Sequence, residues 1–344
     1  MLSRIITRTH YQVDEPAYLG ILVRNCSSPT KSDYSERVAL RLQQKLRSLG
    51  KDFNLAAAKY CVDLAKALEL LTENNFWSDS AHILNLLENN HNDASGLVLT
   101  LSAEEQLLFF RSFLEHDGAA MIFFGREILR AGVVPAPGRD WNITANEMME
   151  FVYKAYLEIM TDFRERVQMR ELLAKRMRQP YEGKSGPHQC FVHLQTMTRI
   201  GLAHASAGKR EYTSLPNRRE ENQPIYHFVN AIPDFRTLEK IVSNGEWSQI
   251  AARAFSLRTE ARWTEKELLD QLISLYDPVM KTGVPLCPLG TLIGAVQIKQ
   301  LTTSVAPNSR EDCMRALRHG RAKDPKRIKF HVDRLGRPAF LVLS

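Results

Sequence analysis

A chain of 344 residues, 44% of them hydrophobic, can bury an extensive core, and its length predicts two or three domains. No apolar run approaches the roughly 18 residues that span a bilayer, and the N-terminus lacks the continuous apolar segment of a signal peptide. The five cysteines are scattered without a C-x-x-C pair, which favours a reducing compartment. We therefore expect a cytoplasmic protein that has no membrane partner.

The positive charge is concentrated in two segments. Residues 161–219 contain twelve Lys and Arg against five Asp and Glu, and residues 310–337 contain ten against four. Because the whole chain has a formal net charge of +7, its remainder is net acidic. Two separate basic segments on an otherwise acidic protein are typical of a polyanion-binding surface. Solvated helical faces and turns are the alternative interpretation.

The N-terminal part is predicted to begin with an extended arm, residues 1–33, which includes a candidate strand at 18–23. Apolar residues at helical spacing then predict three helices and one strand, at 35–50, 55–71, 80–87 and 97–101. A helix-turn-helix or winged unit and a plain helical bundle both fit this domain, residues 34–134.

The last part of that domain is predicted to contain two helices and to end at a linker. Ser102 and Glu105 have the S-x-x-E spacing of a capping box, which predicts a helix over 102–114. A second helix is expected over 119–131. Proline and glycine cluster in the segment VVPAPGRDW, residues 133–141, which predicts a linker and a domain boundary.

The next domain, residues 139–216, is predicted to start with a long helix. Apolar residues continue at helical spacing over 144–177, with a break near Thr161 as one option. The second half is rich in arginine, which suits phosphate contacts or a solvated face. An amphipathic helical pattern begins at His188, glycines interrupt it, and a short basic strand over 209–215 follows.

The C-terminal part divides into a connecting segment, residues 217–261, and a basic domain, residues 262–344. Within the connecting segment we expect a strand at 225–229 and a helix at 235–244. The basic domain is predicted to contain helices at 262–276 and 309–319, an extended proline-containing stretch between them, and a final hairpin. Strict alternation places Ile328, Phe330 and Val332 on one face of that hairpin.

A helix, a tight break and a basic strand, as in residues 188–216, resemble the winged-helix and helix-turn-helix DNA-binding superfamily. The helix and hairpin near the C-terminus resemble the same arrangement. In that superfamily a helix is presented to nucleic acid and a wing steadies it. The resemblance implies a mainly α fold with small β-hairpins (α+β), in which two or three winged-helix-like units are joined by helices. No residue-level repeat relates the units.

The nucleic-acid-binding residues that this resemblance implies lie in the two basic units. In the central one they are four residues on the expected exposed side of the helix and two residues of the wing: Gln195, Thr196, Thr198, Arg199, Lys209 and Arg210. In the C-terminal one they are six cations expected to contact phosphates: Arg315, Arg318, Arg321, Lys326, Arg327 and Lys329. Aromatic residues are sparse in both segments, so duplex DNA is the expected ligand.

Three motifs that suggest catalysis or metal binding are incomplete. The Gly-Lys-Ser at 183–185 lacks the upstream glycine of a phosphate-binding loop. The pattern H-x-C-x-x-H at 188–193 has no second ligand pair. The acidic residues at 233–240 lack the spacing of a nuclease metal site. We therefore expect no cofactor, no metal and no catalytic activity.

The sequence thus predicts a non-enzymatic subunit that binds duplex DNA within a larger DNA-handling assembly. Arrays of this type resemble accessory subunits of such machines, including prokaryotic defence systems. A protein-interaction scaffold is the first alternative, because the acidic remainder and the long helix suit assembly with a protein partner or self-association. A metal-dependent nuclease is the second.

Overall fold

The computed structural model describes residues 16–28, 31–87, 101–134, 140–206, 211–215, 223–257, 261–280, 286–333 and 336–343. The described chain is mainly helical with two small antiparallel sheets, which confirms the predicted fold class. The helices are α1 (Pro16–Ile21, followed by a π-helical turn, Leu22–Cys26), α2 (Ser35–Ser48), α3 (Leu55–Ala67), α4 (Asp79–Leu86), α5 (Ala103–Ala131), α6 (Trp141–Ile159), α7 (Phe163–Arg178), α8 (Ser185–Arg199), α9 (Pro224–Ala231), α10 (Phe235–Asn244), α11 (Trp247–Ala254), α12 (Glu265–Met280), α13 (Leu289–Thr302) and α14 (Arg310–Lys323). The strands are β1 (Val133–Val134), β2 (His204–Ala205), β3 (Tyr212–Thr213), β4 (Cys287–Pro288), β5 (Ile328–Val332) and β6 (Pro338–Leu343).

Two parts of the chain share one order of elements. The C-terminal unit, residues 265–343, runs helix, short strand, two helices, and two strands that form a hairpin, with strand order β4-β6-β5. The central unit, residues 103–213, has the same order with one extra helix, α7, and its strand order is β1-β3-β2. In each unit the first strand therefore pairs with the last.

Residues 16–77, the N-terminal unit, follow a reduced version of this order. Helix α1 is followed by an isolated bridge from Ser28 to Phe76, and helices α2 and α3 are followed by a bridge from Leu71 to Trp77. The segment after the first helix thus again lies beside the last extended segment, although this bridge is parallel whereas the pairs in the other two units are antiparallel. The strand expected at 18–23 is wrong, because these residues are helical and Leu19 and Leu22 are buried in the core. Residues 1–15, 29 and 30 of the predicted arm lie outside the described residues.

Helix α5 is the longest helix of the described chain and lies at its centre. The predicted capping box is present: Ser102 Oγ accepts from the Glu105 amide at 3.1 Å, and Glu105 Oε2 accepts from the Ser102 amide at 2.9 Å. Two helices were predicted here, but α5 is continuous. Its middle is buried, and a Cβ at Gly118 would lie 2.6 Å from a methyl of Leu238, so glycine permits α10 to pack closely against the helix.

One continuous hydrophobic core extends from Leu19 to Leu301, and a second, smaller core lies inside the C-terminal unit. The segment predicted as a connector contributes three helices, α9 to α11, to the larger core. The strand expected at 225–229 is part of helix α9, with Pro224 at its first turn. The break near Thr161 is confirmed, since Asp162 caps α7 by accepting from the Glu165 amide at 2.9 Å.

Other predictions agree with the described elements or fall outside them. The helix expected at 235–244 is present with the same bounds, and the helices expected at 35–50, 55–71, 80–87, 262–276 and 309–319 are present with shifted ends. The C-terminal hairpin is also present. Residues 135–139 of the predicted linker and residues 97–100 of a predicted strand lie outside the described residues. Helices α11 and α13 were not predicted.

His82, on α4, is buried and packs edge-on against Trp77, and burial lowers the pKa of His82 to about 4. The unfolded chain binds this proton below a pKa of about 6.5, whereas the folded protein does not. We expect the free energy of unfolding to fall by about 3 kcal/mol as the pH decreases from about 6.5 to about 4. Burial also raises the pKa of nearby Asp79. The contribution of Asp79 to stability therefore falls as the pH rises, which is opposite to the effect of His82.

The substitution His82→Gln should remove the histidine contribution and leave that of Asp79 in place. Urea unfolding at several pH values between 7 and 4 should therefore show a flatter profile for this variant than for the wild type. The exposed His331→Gln is the matched control and should leave the profile unchanged. Parallel profiles for His82→Gln and the wild type would contradict the prediction.

Candidate nucleic-acid interface

The cations predicted to contact phosphates in the C-terminal unit are all exposed: Arg315, Arg318, Arg321, Lys326, Arg327 and Lys329. Helix α14 begins with a capping box in which Ser309 Oγ accepts from the Asp312 amide at 3.1 Å. Its apolar residues, including Cys313 and Leu317, are buried in the smaller core. The helical period therefore turns Arg315 and Arg318 outward, away from that core.

Close packing brings the end of α14 against the hairpin. A Cβ at Gly320 would lie 2.8 Å from a methyl of Leu269 and 2.9 Å from a methyl of Ile328, so the glycine permits α14 to pack closely against α12 and β5. The last turn of α14 therefore lies beside the first strand of the hairpin. This contact fixes how the helix and the hairpin are oriented relative to each other.

An open groove of about 510 Å³ lies at this junction. Arg318 and Arg321 line it from the helix, and Phe330 and Pro338 line it from the hairpin. The guanidinium carbon of Arg321 lies 5.6 Å from the centroid of the Phe330 ring, within the range of a cation–π contact. The groove thus combines two guanidinium groups with an apolar floor.

Acidic residues partly balance the arginines at the start of α14. Arg315 pairs with Asp312, and Arg318 Nη1 lies 3.1 Å from Glu311 Oε1. Burial would raise the pKa of Asp312, but hydrogen bonds from Ser309 and the nearby positive charges lower it overall. Exposed ion pairs contribute about 0–1 kcal/mol, so these arginines can exchange a carboxylate for a phosphate.

Buried and exposed side chains alternate along β5 as predicted only in its first half. Ile328 is buried, Lys329 is exposed and Phe330 is half-buried, but Val332 is exposed rather than facing the core. A register irregularity between His331 and Val332 accounts for the difference, because a bulge turns the following side chain out of the alternation. Among the described residues, Arg321 and Lys329 form no ion pair, so their charge is not offset locally.

The central unit does not present its helix in the way the sequence suggested. The expectation that Thr196 faces solvent is wrong, since it is 2% exposed on α8, which packs against α5 and α6. Gln195 is half-buried and accepts from the Tyr212 hydroxyl at 3.2 Å, and Thr198 donates to the Leu194 carbonyl at 3.1 Å. Arg199 is exposed. The two wing cations, Lys209 and Arg210, lie outside the described residues.

The residues of the H-x-C-x-x-H motif have protein partners instead of forming a ligand set. His193 Nδ1 lies 2.7 Å from Asp117 Oδ2, and the Cys190 thiol donates to the Trp141 carbonyl at 3.5 Å. Within the described ranges, no three His, Cys, Asp or Glu side chains come together to hold a metal ion. Gly183 and Lys184 form a turn that leads into α8 at Ser185, and Asn142 Nδ2 donates to the Gly183 carbonyl at 3.2 Å.

The sequence missed the role of Phe330 and Pro338 in lining the groove. The alternating pattern predicted that Phe330 faces the core. Residue spacing in the sequence does not predict that α14 lies opposite this ring. The arginines at three-residue steps in α14, followed at once by a hairpin, are the signal that points to a groove here.

Searches of protein-family models, curated proteins and solved structures find no match for this chain. No helix in the described part of the chain is long and apolar enough to cross a membrane. A function for the chain therefore rests on the geometry of its own residues.

Proposed function

We propose that the chain is a non-enzymatic, cytoplasmic subunit that binds duplex DNA through α14 and the hairpin of its C-terminal unit. The observation that carries the proposal is the shared groove. Two arginines of the helix and the ring of the hairpin line one surface, so both elements can contact the same ligand. Guanidinium groups recognise phosphates well, and phosphate contacts position a protein on a duplex.

The order of elements supports a winged-helix-like unit. A helix pair precedes a hairpin, and the strand before that pair lies beside the last strand. The hairpin extends next to the end of α14, as a wing does beside the helix that it steadies. The same order in the central unit supports an array, and we propose that the array serves a larger DNA-handling assembly such as a prokaryotic defence system.

A salt titration of binding to a short DNA duplex tests the proposal. Each lost phosphate contact reduces the slope of log affinity against log salt by about 0.9, so the double variant Arg318→Ala, Arg321→Ala should reduce it by about 1.8. Fluorescence anisotropy at several salt concentrations measures both affinity and slope. Lys209→Ala, Arg210→Ala tests the central wing in the same way.

The matched control is the double variant Lys51→Ala, Lys240→Ala, which removes the same charge from exposed positions outside the C-terminal unit. Its slope should equal that of the wild type. The proposed site is wrong if the wild type does not bind duplex DNA at low salt. It is also wrong if the control variant and the Arg318→Ala, Arg321→Ala variant reduce the salt slope by the same amount. Cleavage of the duplex with magnesium or manganese present would instead support the nuclease alternative.

A further inference from the structure

Helix α7 carries large apolar side chains in solvent. Phe163 is 77% exposed and Met177 is 64% exposed, and Val167 and Leu172 are exposed as well. Met169 is the one residue of this helix that is buried. Several exposed apolar side chains on one helix make it a candidate contact surface for another molecule.

Five of the exposed residues of α7 form one straight stripe. Phe163, Val167, Arg170, Ala174 and Met177 follow one another at steps of four and three residues, and all five are exposed. Steps of four and three are the spacing of the seam by which two helices pack side by side. This stripe, called the α7 stripe below, therefore has the geometry to receive a second helix.

Contacts to α6 and to the segment that follows α7 hold this helix in place. The guanidinium of Arg176 lies 4.1 Å from the centroid of the Tyr181 ring, and Arg166 donates to the Met160 carbonyl at 2.8 Å. Tyr181 is itself tied to α6, because its amide donates to Asn146 Oδ1 at 2.7 Å. The α7 stripe is thus presented outward by a helix that is anchored on α6.

The charge around the α7 stripe selects the partner. Helix α7 contains six Lys and Arg against two Glu, and Arg170 lies in the middle of the stripe. A second copy of α7 would place Arg170 against a like charge, with further arginines on both flanks. On a membrane surface Arg170, in the middle of the stripe, would have to extend away from its apolar neighbours to reach the headgroups, which limits how deeply the stripe could insert. A protein helix with acidic flanks meets both the apolar and the charged residues.

We propose that the α7 stripe docks an amphipathic helix of a protein partner that has acidic flanks and a carboxylate facing Arg170. The apolar residues of that helix would pack between Phe163 and Met177, as in other helix-in-groove complexes. This surface is separate from the groove of the C-terminal unit. The proposal therefore does not depend on DNA binding.

A designed peptide supplies a defined probe for the full-length protein. It spans about three heptads, with Leu at the seam, one Glu placed to face Arg170, and Glu at the flanking positions. A second peptide has Lys in place of every Glu. Calorimetric titration should show binding of the acidic peptide and at least tenfold weaker binding of the basic one, because like charges across an interface are unfavourable.

Three variants locate the site. Phe163→Ser, Met177→Ser should weaken binding of the acidic peptide by about tenfold or more, and Arg170→Glu should do the same while improving binding of the basic peptide. The control, Leu40→Ser, Ile143→Ser, changes two other side chains, 44% and 52% exposed, and should bind like the wild type. All three variants should bind duplex DNA as the wild type does.

Several results would overturn the proposal. They are no binding of the acidic peptide, equal binding of both peptides, or an equal loss in the control. Binding of anionic phosphatidylserine vesicles or duplex DNA that depends on Phe163 and Met177 would assign the α7 stripe to a lipid surface or to nucleic acid instead. Failure of the wild type to bind duplex DNA, with peptide binding intact, would remove only the function proposed above.

Discussion

Replacing Asp117 by alanine is expected to lower the free energy of unfolding by about 3–5 kcal/mol, because it removes one partner of a buried pair. Asp117 on α5 and His193 on α8 are both buried, and their facing atoms are 2.7 Å apart. The imidazole stacks on the Phe124 ring, and its Nε2 has no hydrogen-bond partner among the described residues. Loss of Asp117 would therefore leave His193 without an acceptor inside the core.

Urea unfolding followed by far-ultraviolet circular dichroism measures this loss. A double-mutant cycle with His193→Ala isolates the interaction, and the double variant should lose less than the sum of the single ones. The control is Asp63→Ala, at an exposed position of α3, which should change stability by less than about 0.5 kcal/mol. A loss below about 1 kcal/mol for Asp117→Ala would show that the pair does not hold α8 on α5.

Replacing Trp247 by alanine should lower the free energy of unfolding by about 3–5 kcal/mol through loss of buried ring volume. Trp247 is buried where α11, α5 and α13 meet, and the guanidinium of Arg111 lies 5.8 Å from its ring. Its indole N–H donates to Gln297 Oε1 at 3.1 Å, and Gln297 in turn donates to the Asn308 carbonyl at 3.0 Å. These hydrogen bonds connect α11 to α13 and to the segment that precedes α14.

The variant Trp247→Phe separates ring volume from the hydrogen bond. It retains most of the apolar contact but leaves Gln297 Oε1 without this donor, which costs about 1–3 kcal/mol. Chemical denaturation of both variants, with the wild type as reference, measures the two contributions. A loss below about 1 kcal/mol for Trp247→Ala would contradict the prediction, and equal losses for both variants would assign the effect to the hydrogen bond.

For α5, local signals predicted the ends of the helix better than its interior. Ser102, Glu105 and Gly132 marked both ends of α5, because caps depend on residues a few positions apart. The middle of the helix reads EHDG and suggested a break. It continues because α8 and α10 cover it, and such packing between remote segments leaves no local pattern.

Short or uniformly apolar segments were the main source of error. Residues 18–23 and 225–229 were predicted as strands, and both are helical. A short apolar run fits either structure until its neighbours are known. Helix α13 was missed for a related reason: it is apolar on almost every side, so it has no amphipathic period, and prolines precede it.

At the candidate interface, too, the sequence predicts features that depend on local patterns and does not predict those that depend on packing between remote segments. The exposed arginines of α14 follow from a helix with one apolar face, and the sequence contains that pattern. The burial of Thr196 does not, because it depends on α5 and α6 closing over α8. The α7 stripe was also not predicted, since Phe163 and Val167 continue the apolar face of α6 in the sequence, whereas the break at 160–162 turns α7 so that they face solvent.

The strand order β4-β6-β5 leaves β5 as the outer strand of its sheet. Backbone N–H and C=O groups at a sheet edge can pair with a strand of another molecule, which leads to aggregation. Charged side chains and bulges discourage such pairing. Lys329 lies on this edge and an irregularity follows at His331 and Val332. Lys329, which we propose contacts a phosphate, is thus also expected to discourage pairing between two copies of this edge.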